Sequence, residues 1–435
     1  MRFDCLQDWL SWLESNYPIN EIELGLARVA QVAGRLNLAS TLAQKKVVTI
    51  AGTNGKGSCV AALNALLRSG GFQVACFTSP HFINYNERIV INDKPVSDLC
   101  LIEAFDRVDQ ARESVPLTYF EFGTLVALDV FQRSEVDVVI LEVGLGGRLD
   151  AVNIIDPDVA IVTSIDIDHQ DWLGSDRESI GKEKAGIFRA AKPAVCADPD
   201  PPLSIQQTAA RLGAKLFQRG AAFSMQEGAG QSYRWQGMDK SANKKVVDLA
   251  RLALPSGSVA AALQALVLLE LDHASVDYLC LEELVLAGRF QCVDNGLASG
   301  QGQVILDVAH NPAAAQHLSK KLESTPVKGS TFALIAMMKD KDSTGVIEAL
   351  KNQIDSWVVA DLYDTSRAMV ASDLAAIIVR QGITQVTVGD DIAQAYQQVR
   401  CLMGAQDRLI VLGSFITVSE VMKIVASARA PGGHA

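Results

Sequence analysis

The chain has 435 residues, 49% hydrophobic and 20% charged, which excludes a disordered polymer and allows two, or at most three, domains with their own cores. A formal net charge of −11 argues against a nucleic-acid backbone as partner, but not against a nucleotide held by local cations. The eight cysteines (Cys5, Cys59, Cys76, Cys100, Cys196, Cys280, Cys292 and Cys401) form no C-x-x-C pair and sit mostly in apolar runs, which predicts reduced core thiols in a cytoplasmic protein.

Residues 3–15 place Phe3, Leu6, Leu10 and Leu13 at helical spacing, and Asp4 and Asp8 break any resemblance to a signal peptide. Residues 24–38 predict a second helix. Val47–Ala51 reads as a buried strand, after which Gly52-Thr53-Asn54-Gly55-Lys56-Gly57-Ser58 forces a turn. From Cys59, the residues Ala62, Leu63, Leu66 and Leu67 recur at helical spacing as far as Gly70-Gly71. A strand, a glycine-rich turn and a helix together aim backbone N–H groups and the positive end of a helix dipole at one spot. Lys56 adds a full charge, and the combination suits a polyphosphate. The spacing departs from G-x-x-x-x-G-K-[ST], because position 50 is Ile and Gly57 separates Lys56 from Ser58. The plainer alternative is a tight turn with a surface lysine.

A strand over Phe72–Thr78 ends in Ser79-Pro80-His81-Phe82, which puts Ser79 and His81 at its carboxyl end, where open α/β sheets bind ligands. Thr118-Tyr119-Phe120-Glu121-Phe122-Gly123 precedes a helix reaching about Arg133. The strand Val136–Leu141 runs into the stretch from Glu142 to Asp150, and Val159–Ser164 runs into Asp166-Ile167-Asp168-His169. Strands alternating with helices imply a parallel sheet, and its carboxyl edge would collect the 52–58 turn, Ser79, Glu142 and His169. Residues 192–202, with four prolines, read as a loop, and the polar stretch 224–245 as a surface excursion or hairpin. Val259–Leu271, the most apolar helix candidate, contains Gln264 and is too short for a bilayer. After Gly288-Arg289-Phe290 a second alternation begins. Its strand candidates are Val304–Ala309, Phe332–Met338, Trp357–Asp361, Val386–Val388 and Leu409–Gly413, with a helix over Asp391–Leu402. The expected fold is α/β: an N-terminal domain (1–287) on a parallel-rich sheet, hinged at Ala287-Gly288 to a smaller C-terminal α/β domain (288–435).

A nucleoside triphosphate needs a divalent cation beside Lys56, and hard oxygen ligands suit Mg²⁺. Glu142, directly after an apolar strand, is the natural ligand, the alternative being a salt bridge to Arg148. Ser79 offers a neutral oxygen or simply makes a Ser-Pro turn. His169 is an unusual magnesium ligand and more often a structural residue, while Asp166 and Asp168 are ligands or a solvated turn. Lys182 and Lys184 read as a charged helix. Arg289, Asp307, His310 and Ser414 lie near strand ends in the second alternation, with caps and turns as the alternative roles.

Gly52–Ser58, Ser79–His81, Thr118–Glu121, Leu141–Asp150, Asp168–Gly174, Lys182–Phe188 and Asp307–Pro312 together resemble the folylpolyglutamate synthase/dihydrofolate synthase family, relatives of the Mur ligases, over nearly the whole chain. The bifunctional bacterial type is the nearest in pattern. The resemblance implies a P-loop Mur-ligase-type first domain and a Rossmann-like second one. It implies ATP on Thr53, Asn54, Gly55, Lys56, Gly57, Ser58, Ser258, Arg289 and Asp307, and two Mg²⁺ ions with Ser79, Glu142 and His169 as ligands. The pterin would lie against Gly25, Leu26, Ala27, Thr118, Tyr119, Phe120, Glu121 and Leu149, and the incoming glutamate near His310 and Ser414. Lys184 matches the family lysine that can be carbamylated, and joins Lys56, Glu142 and His169 as catalytic. Ser258 stands where relatives carry an Asn, and Val152 where they carry a Thr. The activity implied is ATP-dependent addition of L-glutamate to dihydropteroate, giving dihydrofolate, and to tetrahydrofolate polyglutamates through an acyl phosphate. It would be carried out by a cytoplasmic monomer with no nucleic-acid or membrane partner. Rival readings are a Mur ligase acting on a UDP-sugar, a nucleotide hydrolase without an amino-acid acceptor, and a non-catalytic nucleotide-binding module.

Overall fold

A computed structural model describes residues 2–17, 23–272, 274–294, 302–363, 365 and 367–429. The chain divides into two compact units, Met1–Leu284 and Val285–Ala435.

The first unit is built on eight strands: β1 Lys46–Ala51, β2 Val74–Phe77, β3 Ile89–Ile91, β4 Lys94–Pro95, β5 Val138–Glu142, β6 Val159–Val162, β7 Pro193–Cys196 and β8 Lys215–Gln218. They pair in the order β4-β3-β2-β5-β1-β6-β7-β8, with all six from β2 to β8 parallel and β3 turned antiparallel against β2. The register pairs Phe77 with Leu141, Ile50 with Glu142 and Ala51 with Val162. Four neighbouring strands therefore end at nearly the same height, and the segments leaving β2, β5, β1 and β6 emerge side by side. Buried Val, Ile and Leu fill these strands because both faces of the sheet are covered by helices.

Trp9 on the helix Leu6–Asn16 is fully buried and stacks on Phe105 at 5.6 Å, pinning the N-terminal helix to the core. The helix expected over 24–38 is shorter, Ala27–Arg35, and a separate helix, Leu38–Leu42, follows Asn37, whose left-handed conformation (φ 55°) keeps the two apart. The stretch 192–202 is not all loop. Pro193 opens β7, and the first residue of a strand is a place where a missing N–H is tolerated. The polar stretch near 224–245 is more than a hairpin: β9 Ser224–Glu227, β10 Tyr233–Met238 and β11 Lys244–Leu249 form an antiparallel sheet. Trp235 from β10 anchors it, donating its indole N–H to the Ala260 carbonyl of the helix Ser256–Leu268 at 3.2 Å.

The second unit carries β12 Gln291–Asp294, β13 Gln303–Leu306, β14 Thr331–Ile335, β15 Ser356–Asp361, β16 Val386–Asp391 and β17 Arg408–Leu412, in the order β12-β13-β17-β14-β15-β16. All pairs are parallel except β12 with β13. The five expected strands are present, and β12 is the addition. The cysteine expectation holds only in part: all eight are free thiols, but just Cys59, Cys76 and Cys196 are buried, while Cys5, Cys292 and Cys401 are exposed. Among the described residues, no helix is long and apolar enough to cross a membrane.

Candidate active site

The turn after β1 is shaped by glycine and anchored by its neighbour. Gly52 has φ 152°, and a Cβ there would fall 1.9 Å from Thr163 Oγ1. Gly55 (φ 84°) precedes the helix Lys56–Ser69 and offers no side-chain cap. Hydroxyls from the exit of β6 hold the turn instead. Thr163 Oγ1 donates to the Asn54 carbonyl at 2.7 Å, and the Asn54 N–H donates to Ser164 Oγ at 3.0 Å. Thr53 Oγ1 bonds the backbone of Asp166. Thr163 and Ser164 escaped sequence reasoning, although two hydroxyl residues directly after an apolar strand were the available signal. Ser258, in the first turn of the helix Ser256–Leu268, donates to the Gly55 carbonyl at 3.2 Å, so this hydroxyl braces the same turn. The first-turn N–H groups of Gly57 and Ser58 have no acceptor among the described residues, which is the arrangement that receives anionic oxygens. Lys56 Nζ lies against the Gly52 carbonyl at 3.0 Å.

Glu142, the last residue of β5, is 5% exposed and accepts the Ser79 N–H at 3.2 Å. Arg148 pairs instead with Glu183 at 2.9 Å, which removes the salt-bridge alternative for Glu142. The Glu142 charge adds to burial in raising the thiol pKa of Cys59, so the carboxylate lies near the helix turn that follows Lys56. His169 opens the short helix Gln170–Leu173 in a left-handed conformation (φ 52°), with its N–H on Asp168 Oδ1 at 2.8 Å. Among the described residues no three His, Cys, Asp or Glu side chains cluster as a metal site. The donor set here fits an ion that takes one or two carboxylates and completes its shell with phosphate and water, as Mg²⁺ does.

Two buried titratable groups sit beside this turn. Lys184 ends the helix Arg177–Lys184 and is 3% exposed, while Lys182 is exposed, as a charged helix with one exposed lysine predicts. Burial and then the charge of Lys56 bring its pKa down to about 7, against the opposing pull of Asp168 and Asp150. Asp150 is pushed up to about 6 by burial, although N–H groups of Leu145, Val152 and Gly144 and the charge of Lys56 all favour its ionised form. Close backbone approach brings these segments together, since a Cβ on Gly147 would lie 2.9 Å from the Glu183 carbonyl oxygen.

The three segments assigned to the pterin are also joined. Thr118 and Glu121 form a reciprocal cap on the helix Tyr119–Gln132. Both Glu121 oxygens accept from Arg28 Nε at 2.9 and 2.8 Å, tying this helix to Gly25-Leu26-Ala27. The helix Ala27–Arg35 packs against the turn Ala151–Ile154 that follows Leu149. Phe120 lies on Gly144, where a Cβ would come within 2.6 Å of its ring, so the segment adjoins the loop leaving Glu142. Arg28 was not singled out from sequence, because its partner lies 93 residues away.

Within the second unit, Asp307 follows β13 and Ser414 follows β17, its parallel neighbour. The Asp307 carboxylate accepts from the N–H groups of Phe290 and Ala309, both at 2.9 Å, and burial raises its pKa against the pull of Arg289. Phe415, next to Ser414 at the end of the last strand, gathers the others: Arg289 Cζ lies 6.0 Å and the His310 ring 6.5 Å from its centre. Ser414 Oγ caps the next helix by accepting from the Thr417 N–H at 3.0 Å.

The buried Asp150 carboxyl has a measurable signature. Its folded value, about 6, lies above the free value of 3.8, so folding takes up a proton and stability falls as pH rises from about 4 to about 6. Urea unfolding of wild type and Asp150→Asn across this window should diverge by up to about 3 kcal/mol, the variant lacking that fall. Parallel curves would refute the burial assignment.

Residues 50–266 match the Mur ligase middle domain, and residues 288–415 the Mur ligase glutamate ligase domain. The dihydrofolate synthase/folylpolyglutamate synthase of Escherichia coli is 40% identical over 98% of this chain and 97% of its own. The solved structure of the E. coli enzyme with DHPP and ADP superposes with a TM-score of 0.88 at 38% identity, covering 98% of this chain and 99% of that one. A Yersinia pestis bifunctional enzyme complexed with AMPPNP and Mn gives 0.86 at 41% identity, covering 97% and 98%. A further bifunctional synthase, with Mn, AMPPNP and L-glutamate bound, gives the same score, identity and coverage. The strand-edge turn, the two Mur ligase matches and near-complete coverage of relatives agree: the chain belongs to the dihydrofolate synthase/folylpolyglutamate synthase family of Mur-type ligases.

Proposed function

We propose that the chain adds L-glutamate to dihydropteroate, forming dihydrofolate, and to tetrahydrofolate polyglutamates, at the expense of ATP. The observation that carries this is one edge of one sheet. There the 52–58 turn, Glu142 on the Ser79 N–H, and Phe120 against Gly144 bring a phosphate-type turn, a buried carboxylate and the 118–121 segment together. ATP is assigned to Thr53, Asn54, Gly55, Lys56, Gly57, Ser58 and Ser258, and to Arg289 and Asp307 of the second unit. The pterin is assigned to Gly25, Leu26, Ala27, Thr118, Tyr119, Phe120, Glu121 and Leu149, and glutamate to His310 and Ser414. The functional domain boundary is set at 287/288, where the glutamate ligase match begins. We assign the working form as a cytoplasmic monomer.

Ser79, Glu142 and His169 would hold Mg²⁺, two ions in the full assembly, which supplies positive charge to the phosphoryl oxygens. A carboxylate resists amine attack, because its charge is delocalised and oxide is a poor leaving group. The acceptor carboxylate therefore attacks the γ-phosphorus, ADP departs, and an acyl phosphate forms. The glutamate amine then attacks the acyl carbon, loses a proton, and inorganic phosphate leaves. The N–H groups of the turn and Lys56 stabilise the charge on the transferring phosphoryl group, which is most of the work in such transfers. ADP release measured with dihydropteroate or tetrahydrofolate, each with and without L-glutamate, should require both acceptor and glutamate for sustained turnover. ADP release indifferent to both would favour a plain hydrolase. Lys56→Ala should lower kcat on the order of 10²- to 10³-fold with unchanged thermal unfolding; activity near wild type would refute its role.

The turn depends on Thr163, so Thr163→Val, which keeps the shape and removes the hydroxyl, should weaken binding of a fluorescent ATP analogue by about tenfold. Affinity equal to wild type would show that the turn holds itself.

Lys184, with a pKa near 7, is substantially neutral at physiological pH, the form in which an amine adds to CO₂ and loses a proton to give a carbamate. Removing dissolved CO₂ should lower the wild-type rate, bicarbonate should restore it, and Lys184→Ala should be inactive with or without bicarbonate. Isotopically labelled bicarbonate giving no carbamate signal on wild type would end this assignment.

A further inference from the structure

Arg88 closes the segment that leaves β2 and is 7% exposed. Its Nε donates to His81 Nδ1 at 2.8 Å, and its Cζ lies 5.4 Å from the centre of the Tyr85 ring and 5.6 Å from that of Tyr119. Among the described residues it has no carboxylate within ion-pair distance, and its two Nη groups have no hydrogen-bond acceptor, yet neither is sealed from solvent. Arg112 and Arg400, buried to a similar degree, are instead paired with Asp109 and Asp294. A desolvated guanidinium without a counter-charge is costly. Aromatic faces offset part of that cost while leaving the in-plane N–H groups unused.

The surroundings of Arg88 belong to the proposed site, and this inference rests on that reading. His81 is two residues from Ser79, whose N–H reaches Glu142, and Tyr119 lies in the segment assigned to the pterin. The two acceptors differ in charge there. Dihydropteroate has one carboxylate, which reacts. An acceptor already carrying glutamate presents a second, the α-carboxylate, which does not react and still has to be accommodated. Planar, bidentate recognition of a carboxylate is what a guanidinium with two open Nη groups provides. We infer that Arg88 receives this spectator α-carboxylate and thereby sets the preference between the two acceptors, with His81 as the positioning residue that orients it.

Steady-state ADP release by wild type, Arg88→Met, Arg88→Lys and His81→Ala, with tetrahydrofolate and with dihydropteroate, tests this. The kcat/KM ratio of tetrahydrofolate to dihydropteroate should fall by about tenfold or more in Arg88→Met, chiefly through KM. Arg88→Lys should recover part of it, and His81→Ala should move it the same way. On wild type, tetrahydropteroyl-γ-aminobutyrate keeps the reacting carboxylate and lacks the α-carboxylate, so it should be poorer than tetrahydrofolate by a similar factor. An active wild type whose ratio stays within about threefold in Arg88→Met sinks the assignment alone. Equal use of the aminobutyrate analogue does the same even if the variant fails to fold. A wild type inert toward both acceptors sinks the ligase reading and this assignment with it.

Discussion

The turn at residues 52–58 draws part of its support from the neighbouring strand. Gly55 brings no capping side chain to the helix Lys56–Ser69, and from within the turn Lys56 Nζ reaches the Gly52 carbonyl. The turn is fixed because β6 runs parallel beside β1, in register up to Ala51 and Val162, and delivers Thr163 and Ser164 where the carbonyls and N–H groups of the turn need partners. The same closeness is why residue 52 has no room for a Cβ. The placing of the turn's backbone is thereby inherited from a central pair of parallel strands.

Around that turn the first unit keeps charge where burial disfavours it. Glu142, Asp150 and Lys184 are all at most 5% exposed, and the last two respond by moving toward neutrality from opposite directions, one carboxyl up to about 6 and one amine down to about 7. Neither shift follows from a single ion pair. Burial is the leading cause in both, and the charge of Lys56 opposes it at Asp150 and reinforces it at Lys184. Lys56, at the start of the helix after the turn, thus biases the protonation of two groups on other segments, favouring the ionised carboxylate and the neutral amine.

How much of this the sequence discloses depends on how local each cause is. The glycine turn and the alternation that makes a parallel sheet are written within a few residues, and each was legible. Likewise, the residues assigned to one edge converge because topology alone carries strand ends there. What stayed hidden are pairings across the chain: Thr163 with Asn54, 109 residues apart, and Arg28 with Glu121, 93 apart. Composition misled in two places. Four prolines concealed a strand that begins on one of them, and apolar neighbours suggested buried thiols at Cys5, Cys292 and Cys401, which are exposed.

In the second unit the choice between capping and binding is not exclusive, and hydrogen counting shows why. Thr417 Oγ1 has one proton and gives it to the Ala336 carbonyl at 3.0 Å. In the 2.6 Å contact between the two hydroxyls, Ser414 must therefore be the donor. Its oxygen also accepts the Thr417 N–H, so Ser414 has no proton left to offer and keeps one lone pair. A hydroxyl in that state cannot bind a carboxylate, but it can accept from an N–H. For the role proposed here, that restricts Ser414 to the amine end of glutamate, the end whose lone pair attacks. The cap is thus what gives the serine its polarity toward a ligand.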